Sequence, residues 1–348
     1  MKKLFTIAAA VLLTGSTLKA QDIHFSQFYE NAILRNPALT GIFSGDYKAG
    51  VNYRTQWGNI SNPFQTVMVS AESRIMVNKE LHDYLSFGAC ISYDHAGSID
   101  FNSIQITPAV NYNKRLYDGH ASYLSVGFAG SYIQRSVDPN KMTLDNQYVN
   151  GGYVSSASTG ETMAFQQITH YDVSAGVSFN SSAGANNQIV YYIGGAAYHV
   201  TKPKEAFNPG ENFIRLSAKY TGSAGVNIRL NSLVGLMATA NYTNQAPYQE
   251  TIFGGLLSYR QAIGASRLVA IHGGCFFRVG DALIPTVKVD YNTYSFTASY
   301  DATTSSLKPA LSSKGGWEFS VYIRGRYKHF MDRMDCPHFE QEMSTQFD

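Results

Sequence analysis

The most constraining stretch of this sequence is 215–231, where apolar and polar residues alternate without interruption. A helix would place apolar groups three and four positions apart, so a period of two predicts an extended strand with one apolar and one polar face. At about 3.3 Å per residue, this strand is longer than the ~9 to 11 tilted residues that cross a bilayer. Apolar side chains toward lipid and polar ones toward a lumen are typical of a transmembrane β-barrel. A long strand in a soluble, lectin-like sandwich is the alternative.

Composition favours the membrane barrel. Charged residues make up 15% of the chain, below the ~25% that is typical of soluble domains. The 24 tyrosines and 20 phenylalanines would supply aromatic girdles at the two membrane surfaces. A net charge of +2 gives no support for nucleic-acid binding, which needs a concentrated basic face.

The N-terminus has the layout of a secretory signal peptide. Lys2 and Lys3 precede an apolar run over 4–13, and small and polar residues then lead to Ala20. We therefore expect residues 1–20 to be removed, which exports the chain. Beyond them there is no run of ~18 apolar residues, so a helical membrane protein is not expected.

Strand-like alternation recurs in fourteen segments that follow residue 46. They are 47–57, 64–73, 85–93, 103–114, 122–134, 171–179, 188–200, 215–231, 233–242, 251–260, 268–278, 282–291, 294–301 and 317–326. The predicted fold class is therefore all-β, a transmembrane antiparallel barrel of about 14 strands. The third segment places Cys90 on the lumen side. An even strand number returns both ends of the chain to the periplasm.

Domain organisation follows from these segments. Residues 21–46 form an N-terminal periplasmic lead-in or a plug in the barrel mouth, 47–330 the outer-membrane barrel, and 331–348 a periplasmic tail. Loop lengths agree with this order, because the long links and the tight links fall on opposite sides of the membrane, as in outer-membrane barrels. The long links are 95–102, 135–169, 201–212 and 302–314, and the tight ones are 115–121, 181–186, 231–232 and 292–293.

Motifs of enzyme chemistry are absent from the sequence. There is no nucleophile elbow, no metalloprotease helix, no phosphate loop and no paired Cys-x-x-Cys. His272-Gly273-Gly274 lies inside a strand pattern, where small residues ease curvature. Acidic and amide residues between Asp138 and Asn146 lack the register of a calcium loop. We expect no catalysis, no cofactor and no metal site.

Three stretches carry a family resemblance. The first runs from Asp22-Ile-His-Phe-Ser-Gln-Phe through Asn36-Pro37-Ala38 to Asn52-Tyr-Arg54-Thr-Gln-Trp57. The second is Arg278-Val-Gly-Asp281-Ala, and the third includes Tyr300-Asp301 and Trp317-Glu318. Together they resemble the PorP/SprF family of outer-membrane proteins, which belong to the type IX secretion and gliding motility apparatus of Bacteroidetes.

The resemblance implies an outer-membrane barrel that works with secreted proteins bearing a C-terminal sorting domain. Such a barrel helps to secrete an adhesin-like partner, or anchors it at the cell surface, and it contacts other secretion or motor components and outer-membrane lipid. The motif positions are the candidate site residues. They are Asn36, Pro37, Arg54, Trp57, Arg278, Asp281, Tyr300, Asp301 and Glu318.

Two other functions remain open at this stage. Asn36-Pro37-Ala38 before the first strand also resembles the N-terminal hatch of fatty-acid transport barrels, which implies a passive channel for small hydrophobic molecules. An open general porin is the third possibility, although the N-terminal segment would obstruct its lumen. For the secretion role, we expect the 135–169 loop, with 201–212 and 302–314, to contact the partner, because loops on a rigid scaffold are common recognition sites.

Overall fold

The computed structural model describes residues 22–56, 63–78, 80–97, 100–117, 121–142, 145–149, 151–154, 156–157, 165–184, 187–207, 214–263, 267–304 and 315–327. The predicted signal peptide and C-terminal tail lie outside the described residues. Within those residues the strands are β1 Tyr47–Gln56, β2 Phe64–Asn78, β3 Asp83–Ala96, β4 Phe101–Tyr117, β5 Ser122–Ser136, β6 Tyr148–Val149, β7 Gly152–Tyr153, β8 Gln167–Ala183, β9 Ile189–Tyr198, β10 Lys219–Arg229, β11 Val234–Gln245, β12 Tyr248–Ile263, β13 Arg267–Arg278, β14 Ala282–Tyr291, β15 Tyr294–Thr303 and β16 Gly316–Gly325.

Fourteen of these described strands close into one antiparallel barrel. Each barrel strand pairs with its neighbours in the chain, except that β5 pairs with β8 and the two-residue strands β6 and β7 form a separate hairpin. β1 closes the barrel on β16, from Tyr47 opposite Gly325 to Gln56 opposite Gly316. The predicted fold class and strand number are therefore confirmed.

The side chains alternate between the two faces of the wall, as predicted. Val69, Phe87, Ile91 and Val177 on the outer face are each about half exposed in the isolated chain. Polar residues fill the alternate positions toward the lumen, and Cys90 is buried there as expected. An apolar outer face can contact lipid, and a polar inner face can line a lumen. This distribution of side chains is typical of a membrane barrel.

The strand predicted over 215–231 was given the wrong first residue. The strand begins at Lys219, and Arg215 forms only an isolated bridge with Lys204. Leu216, expected on the lipid face, is 3% exposed, and its amide donates to the carbonyl of Pro203 at 2.9 Å. The loop after β9 folds back over these residues, a tertiary contact that overrides the local alternation.

The two ends of the barrel differ in their connections. One end, named here the long-loop end, has the connections 57–63, 137–166, 199–218 and 304–315, together with the short links 97–100, 246–247 and 279–281. The predicted long link 95–102 was therefore wrong, because β3 and β4 extend until only four residues remain between them. The other end, the turn end, has links of two to five residues, such as 292–293 and 230–233. The predicted asymmetry of the loops is present in the structure.

Residues 22–45, named here the lumenal segment, lie inside the barrel. The segment contains a 3-10 turn Phe28–Glu30, a short α-helix Ala32–Arg35 and a second 3-10 turn Pro37–Leu39. Asp22 lies at the long-loop end beside Lys219, and Gly45 reaches the turn end, where the strand β1 starts. The described chain thus begins at the long-loop end and finishes at the turn end.

No helix among the described residues is long and apolar enough to cross a membrane.

Candidate functional site

Four of the motif positions meet inside the barrel around the start of the lumenal segment. Arg54 on β1 donates to Asp301 on β15 at 2.8 Å, and Arg278 on β13 donates to the same carboxylate oxygen at 3.2 Å. Glu318 on β16 accepts from the amide nitrogens of Ser26 at 2.7 Å and Gln27 at 3.0 Å. We call Arg54, Arg278, Asp301 and Glu318 the charged clamp.

The clamp grips the backbone and side chains of the segment at several points. Arg54 also donates to the carbonyl oxygen of His24. The Ser26 hydroxyl donates to Asp301 at 2.5 Å and accepts from Arg278 at 2.7 Å. The four clamp side chains are nearly fully buried, so their charges need partners close by. These partners are one another, the segment and, for Arg278, also Glu250 and Asp281.

Other motif positions lie at the edge of the clamp or away from it. Asp281 accepts from Arg278 at 2.9 Å, but its side chain is 47% exposed. Tyr300 is next to Asp301, yet its ring points to the other face and packs beside Trp317 with 4.8 Å between ring centroids. Its hydroxyl accepts from the amide of Gly315 at 3.0 Å. Trp57 lies outside the described residues.

Asn36 and Pro37 occupy the opposite wall of the lumen. The Asn36 amide donates to the carbonyls of Val177 at 3.0 Å and Gly195 at 3.3 Å, and its oxygen accepts from the amide of Ala38 at 2.9 Å. Pro37 opens the second 3-10 turn, where its missing N–H costs no hydrogen bond. The turn rests on Gly127, whose lack of a side chain allows the close approach. These two positions are therefore a second attachment point for the segment.

A third attachment was missed by sequence reasoning. Glu30 in the segment accepts from Lys288 on β14 at 2.5 Å and from Lys48 on β1 at 3.3 Å, and all three side chains are buried. A signal was available: Lys48 has the same strand parity as Arg54, which faces the lumen. An acidic residue in the mainly apolar segment was the natural counterion for an inward lysine.

The beginning of the segment is fixed at the long-loop end by a chain of charges. Asp22 accepts from Lys219 at 2.6 Å and pairs with His199 at 2.6 Å, and His199 pairs with Asp172 at 2.8 Å. Burial alone would raise the pKa of Asp22, but Lys219 and His199 hold it well below its usual value of 3.8. Burial has the opposite effect on the pKa of His199 and lowers it. The carboxylates of Asp22 and Asp172 outweigh that effect and raise the pKa of His199 above its usual value of 6.5.

A cavity opens between the lumenal segment and strands β10 to β12. Its volume is about 90 Å³. Phe25, Phe28 and Leu34 of the segment form one wall, and hydrogen-bonding side chains of β10 and β11 form the other. Among the described residues no group of three or more His, Cys, Asp or Glu side chains could hold a metal ion.

The loop over 137–166 presents apolar groups at the long-loop end. Tyr148 is 68% exposed, and Tyr153, opposite it in the β6–β7 hairpin, is also exposed. This loop is joined to the 199–218 loop, since Arg135 pairs with Glu205 at 2.6 Å and the amide of Phe165 donates to the carbonyl of Phe207 at 3.0 Å. Two of the three predicted partner loops are therefore in contact, and residues 305–314 of the third lie outside the described residues.

Comparison with known families gave a match over most of the chain. The family model described as "Type IX secretion system membrane protein PorP/SprF" matches residues 17–323. No curated protein matched the sequence.

Of two similar solved structures, the first has a TM-score that supports a shared fold and the second does not. The toluene transporter TbuX of Ralstonia pickettii is 12% identical, with 84% of this chain and 93% of that chain covered and a TM-score of 0.50. CdiB from Acinetobacter baumannii is 8% identical, with 80% of this chain and 60% of that chain covered and a TM-score of 0.38. At these identities the similarity concerns the fold alone.

Proposed function

Because the chain belongs to the PorP/SprF family of type IX secretion system membrane proteins, we propose that this outer-membrane barrel helps to secrete a partner protein or holds it at the cell surface. The partner bears a C-terminal sorting domain and is adhesin-like, and the barrel acts by binding and not by catalysis. Contacts with other secretion or motor components belong to the same proposal.

The filled lumen is the observation that carries this proposal. The lumenal segment is attached at the charged clamp, at Glu30 and at Asn36, and Ile33, Leu39 and Phe43 are almost fully buried within it. In the part of the chain that the structure describes, the lumenal segment leaves no free path for a second protein chain, so we assign the barrel a docking role at its rim and not a conducting role.

We place the long-loop end at the cell surface and the turn end in the periplasm, because outer-membrane barrels have short periplasmic turns. A cleaved signal peptide would deliver the chain to this membrane. The even strand number puts the start of β1 and the end of β16 in the periplasm. Asp22, however, lies at the opposite end beside Lys219. With residues 1–20 removed, only Gln21 would precede it, so in this proposal the amino terminus of the mature chain lies at the cell-surface end and not in the periplasm as the sequence predicted.

The docking surface we propose comprises the loops 137–166 and 199–218, together with 304–315. An exposed aromatic pair on a hairpin supplies large contact area at a low entropic cost, and tyrosine is enriched where partner proteins bind. These loops stand on a rigid wall, which positions them before the partner arrives.

A tagged pull-down from outer membranes in mild detergent, followed by mass spectrometry, tests the function. We expect one large secreted protein with a C-terminal sorting domain. Deleting Met142 through Glu161 should release this partner while the barrel stays folded; a partner retained at the surface would contradict the docking role. Recovery of secretion or motor components without a single cargo would instead indicate a general role in the machinery.

A variant with substitutions instead of a deletion tests the contact of the hairpin with the partner without changing the length of the loop. The double substitution Tyr148→Ser and Tyr153→Ser should also weaken capture of the partner. Tyr294→Ser is the matched control, because Tyr294 is similarly exposed but lies at the turn end. If the double variant and the Tyr294→Ser control lose the same share of captured partner, the partner does not contact the hairpin.

A passive channel for small hydrophobic molecules is the second candidate function. The observation that favours it is the cavity with its apolar wall of Phe25, Phe28 and Leu34. A lipid-like or aromatic molecule bound to the purified protein, together with lost uptake and unaltered secretion in a deletion strain, would support this function over docking.

A further inference from the structure

We propose that a cavity at the turn end of the barrel binds an acidic peptide segment, and that its occupant is residues 334–348 of the same chain. These residues, named here the acidic stretch, lie outside the described residues. The inference goes beyond the docking role of the long-loop end and does not depend on it.

The turn-end cavity lies where the lumen opens at the turn end. Its volume is about 370 Å³, compared with about 90 Å³ for the cavity beside β10 to β12. Its lining includes exposed side chains at the rim and buried ones farther in. The exposed ones are Asn292, Thr293 and Arg326, and the buried ones are Asp290, Ser295 and Arg324. The cavity can therefore be entered from solvent, and it has room for more than one side chain of a peptide.

Arg326 is an available cation in this lining. Its side chain is exposed and forms no ion pair or hydrogen bond with the residues that the structure describes. Two positions earlier, Arg324 lines the same cavity, and its Nη2 donates to the hydroxyl of Ser295 at 3.0 Å. Side chains two positions apart in an extended chain share a face, so both guanidinium groups lie on the lumen side of the chain.

The one acid in the described lining is already paired. Oδ2 of Asp290 contacts Nε2 of His272 at 2.8 Å, and its Oδ1 lies 3.9 Å from Nζ of Lys288. This carboxylate does not pair with Arg326, so the exposed part of the cavity has an excess of positive charge. A guanidinium in such a place suits a carboxylate, because it can donate to both oxygens at once.

The chain leaves the barrel beside this cavity in a fixed position. The amide of Tyr327 donates to the carboxylate of Asp46 at 2.8 Å, and its hydroxyl lies 2.8 Å from that of Ser73. Its ring packs beside Tyr47 with 5.6 Å between centroids. Since Arg326 precedes Tyr327 and lines the cavity, the residues after Tyr327 begin at the cavity rim.

The sequence that follows is complementary to the cavity in charge. The acidic stretch has no lysine or arginine, and its four acids are Asp335, Glu340, Glu342 and Asp348. It begins seven positions after Tyr327, and a linker of that length can extend to about 25 Å. The linker is therefore long enough for the stretch to return over the rim and place carboxylates at Arg326.

The covalent link favours this stretch over a separate acidic protein. An ion pair at an exposed site is weak by itself. A segment on a short linker, however, is held at an effective concentration in the millimolar range, about 1 mM or more. A few weak pairs then suffice to keep the acidic stretch in the cavity, whereas a separate protein would need further contacts.

Cross-linking on the intact, purified chain tests the proposal. Thr293→Cys places a thiol at the cavity rim, where a short bis-maleimide can join it to the native Cys336 of the acidic stretch. Leu81→Cys is the matched control, because it is exposed in the β2–β3 turn on the other side of the chain exit, outside the lining. We expect at least about fivefold more linked peptide from Thr293→Cys, since docking raises the local concentration. Equal yields from the two variants would overturn the proposal, and Cys336→Ser gives the background.

Charge variants test whether the arginine holds the stretch. In the Thr293→Cys background, Arg326→Glu should lower the yield about threefold or more, because repulsion replaces attraction. Arg229→Glu makes the same charge change at the turn end of β10, outside the cavity lining, and should leave the yield unchanged. The yield should also fall in about 1 M NaCl, where the screening length is about 3 Å. A yield that neither Arg326→Glu nor salt lowers would refute an electrostatic site.

Competition identifies the occupant. A synthetic peptide of residues 334–348 with Cys336→Ser, added in excess to the full chain, should lower the yield. The same peptide with Glu340→Gln and Glu342→Gln should compete about threefold less well, because two carboxylates are lost. If inorganic phosphate at equal concentration competes as well as the peptide, the cavity is a general anion site and the proposal is wrong.

Discussion

Arg54 and Asp301 are 247 positions apart in the chain, and their side chains form a 2.8 Å ion pair beneath the first residues of the lumenal segment. Arg278 shares the same carboxylate at 3.2 Å. Asp301 thus bridges β1 and β13, and it also accepts a hydrogen bond from the Ser26 hydroxyl.

Asp301→Asn should therefore loosen the segment from the wall. Two buried guanidinium groups would lose their shared counterion, and breaking a buried pair in this way costs about 3–5 kcal/mol. We expect faster hydrogen exchange in a peptide spanning 22–31 and a lower unfolding midpoint in guanidinium. Asp281→Asn is the control, because its carboxylate also pairs with Arg278 but is 47% exposed. Equal effects from the two substitutions would contradict the clamp.

Alanine at Gly127 should displace the Asn36-Pro37 turn. A Cβ on Gly127 would overlap main-chain atoms of Pro37 and Ala38, which cannot rotate away. Overpacking of this kind costs about 1–3 kcal/mol, so trypsin should cut after Arg35 sooner than in the native barrel. Gly222→Ala is the control, since a Cβ there meets no atom within 4 Å. Protection of Arg35 in the Gly127 variant would show that the turn is not held by close contact.

Gly176→Ala should have a smaller effect than Gly127→Ala. Its Cβ would overlap the side-chain oxygen of Asn36 and not a main-chain atom. A side chain can change rotamer at a cost of about 0.5–1.5 kcal/mol. Comparing the guanidinium midpoints of the two variants measures the difference, and a larger loss at Gly176 would reverse our assignment of the contact.

The barrel was predictable because its strands have a local signature. Alternation with a period of two fixes both the extended backbone and the face of each side chain, as Cys90 shows. Leu216 was placed on the wrong face because a loop contact with Pro203 overrides its own neighbourhood. Local pattern cannot report such a contact.

The candidate site was predictable only as a set of separate positions. Arg54, Arg278, Asp301 and Glu318 were named from three distant motifs, but their meeting depends on barrel closure, in which β1 pairs with β16. Nothing local in the sequence specifies that Glu318 accepts from Ser26 and Gln27. The role of Glu30 was missed for the same reason, because its lysine partners lie on strands far apart in the chain.

Removal of residues 22–44 should convert the barrel into a pore. The segment occupies the lumen, and Ile33 and Phe43 are almost fully buried there. Its loss should leave a lumen with a polar lining that water can fill. We expect no steady single-channel current from the native protein in a planar bilayer and an ohmic current from the deletion. Glu30→Lys is the second variant, since it sets a cation against Lys48 and Lys288 and should give intermittent openings in a full-length chain. A silent bilayer with both variants would refute the plug.

The hold of the barrel on Asp22 should weaken in alkaline solution. His199 has a raised pKa, so the stability that its protonated ring contributes is fully present below about 6.5 and is lost as pH rises through the higher value in the folded protein. The carboxylate of Asp22 stays charged over this range, because its pKa is lowered. The difference in guanidinium midpoint between native protein and His199→Asn should therefore be largest in mildly acidic solution and shrink above neutrality. His82→Asn is the control, because both histidines have a left-handed backbone, with φ of 53° at His82 and 55° at His199, which asparagine tolerates. A difference at His199 that does not change with pH would mean that its ring serves only in packing.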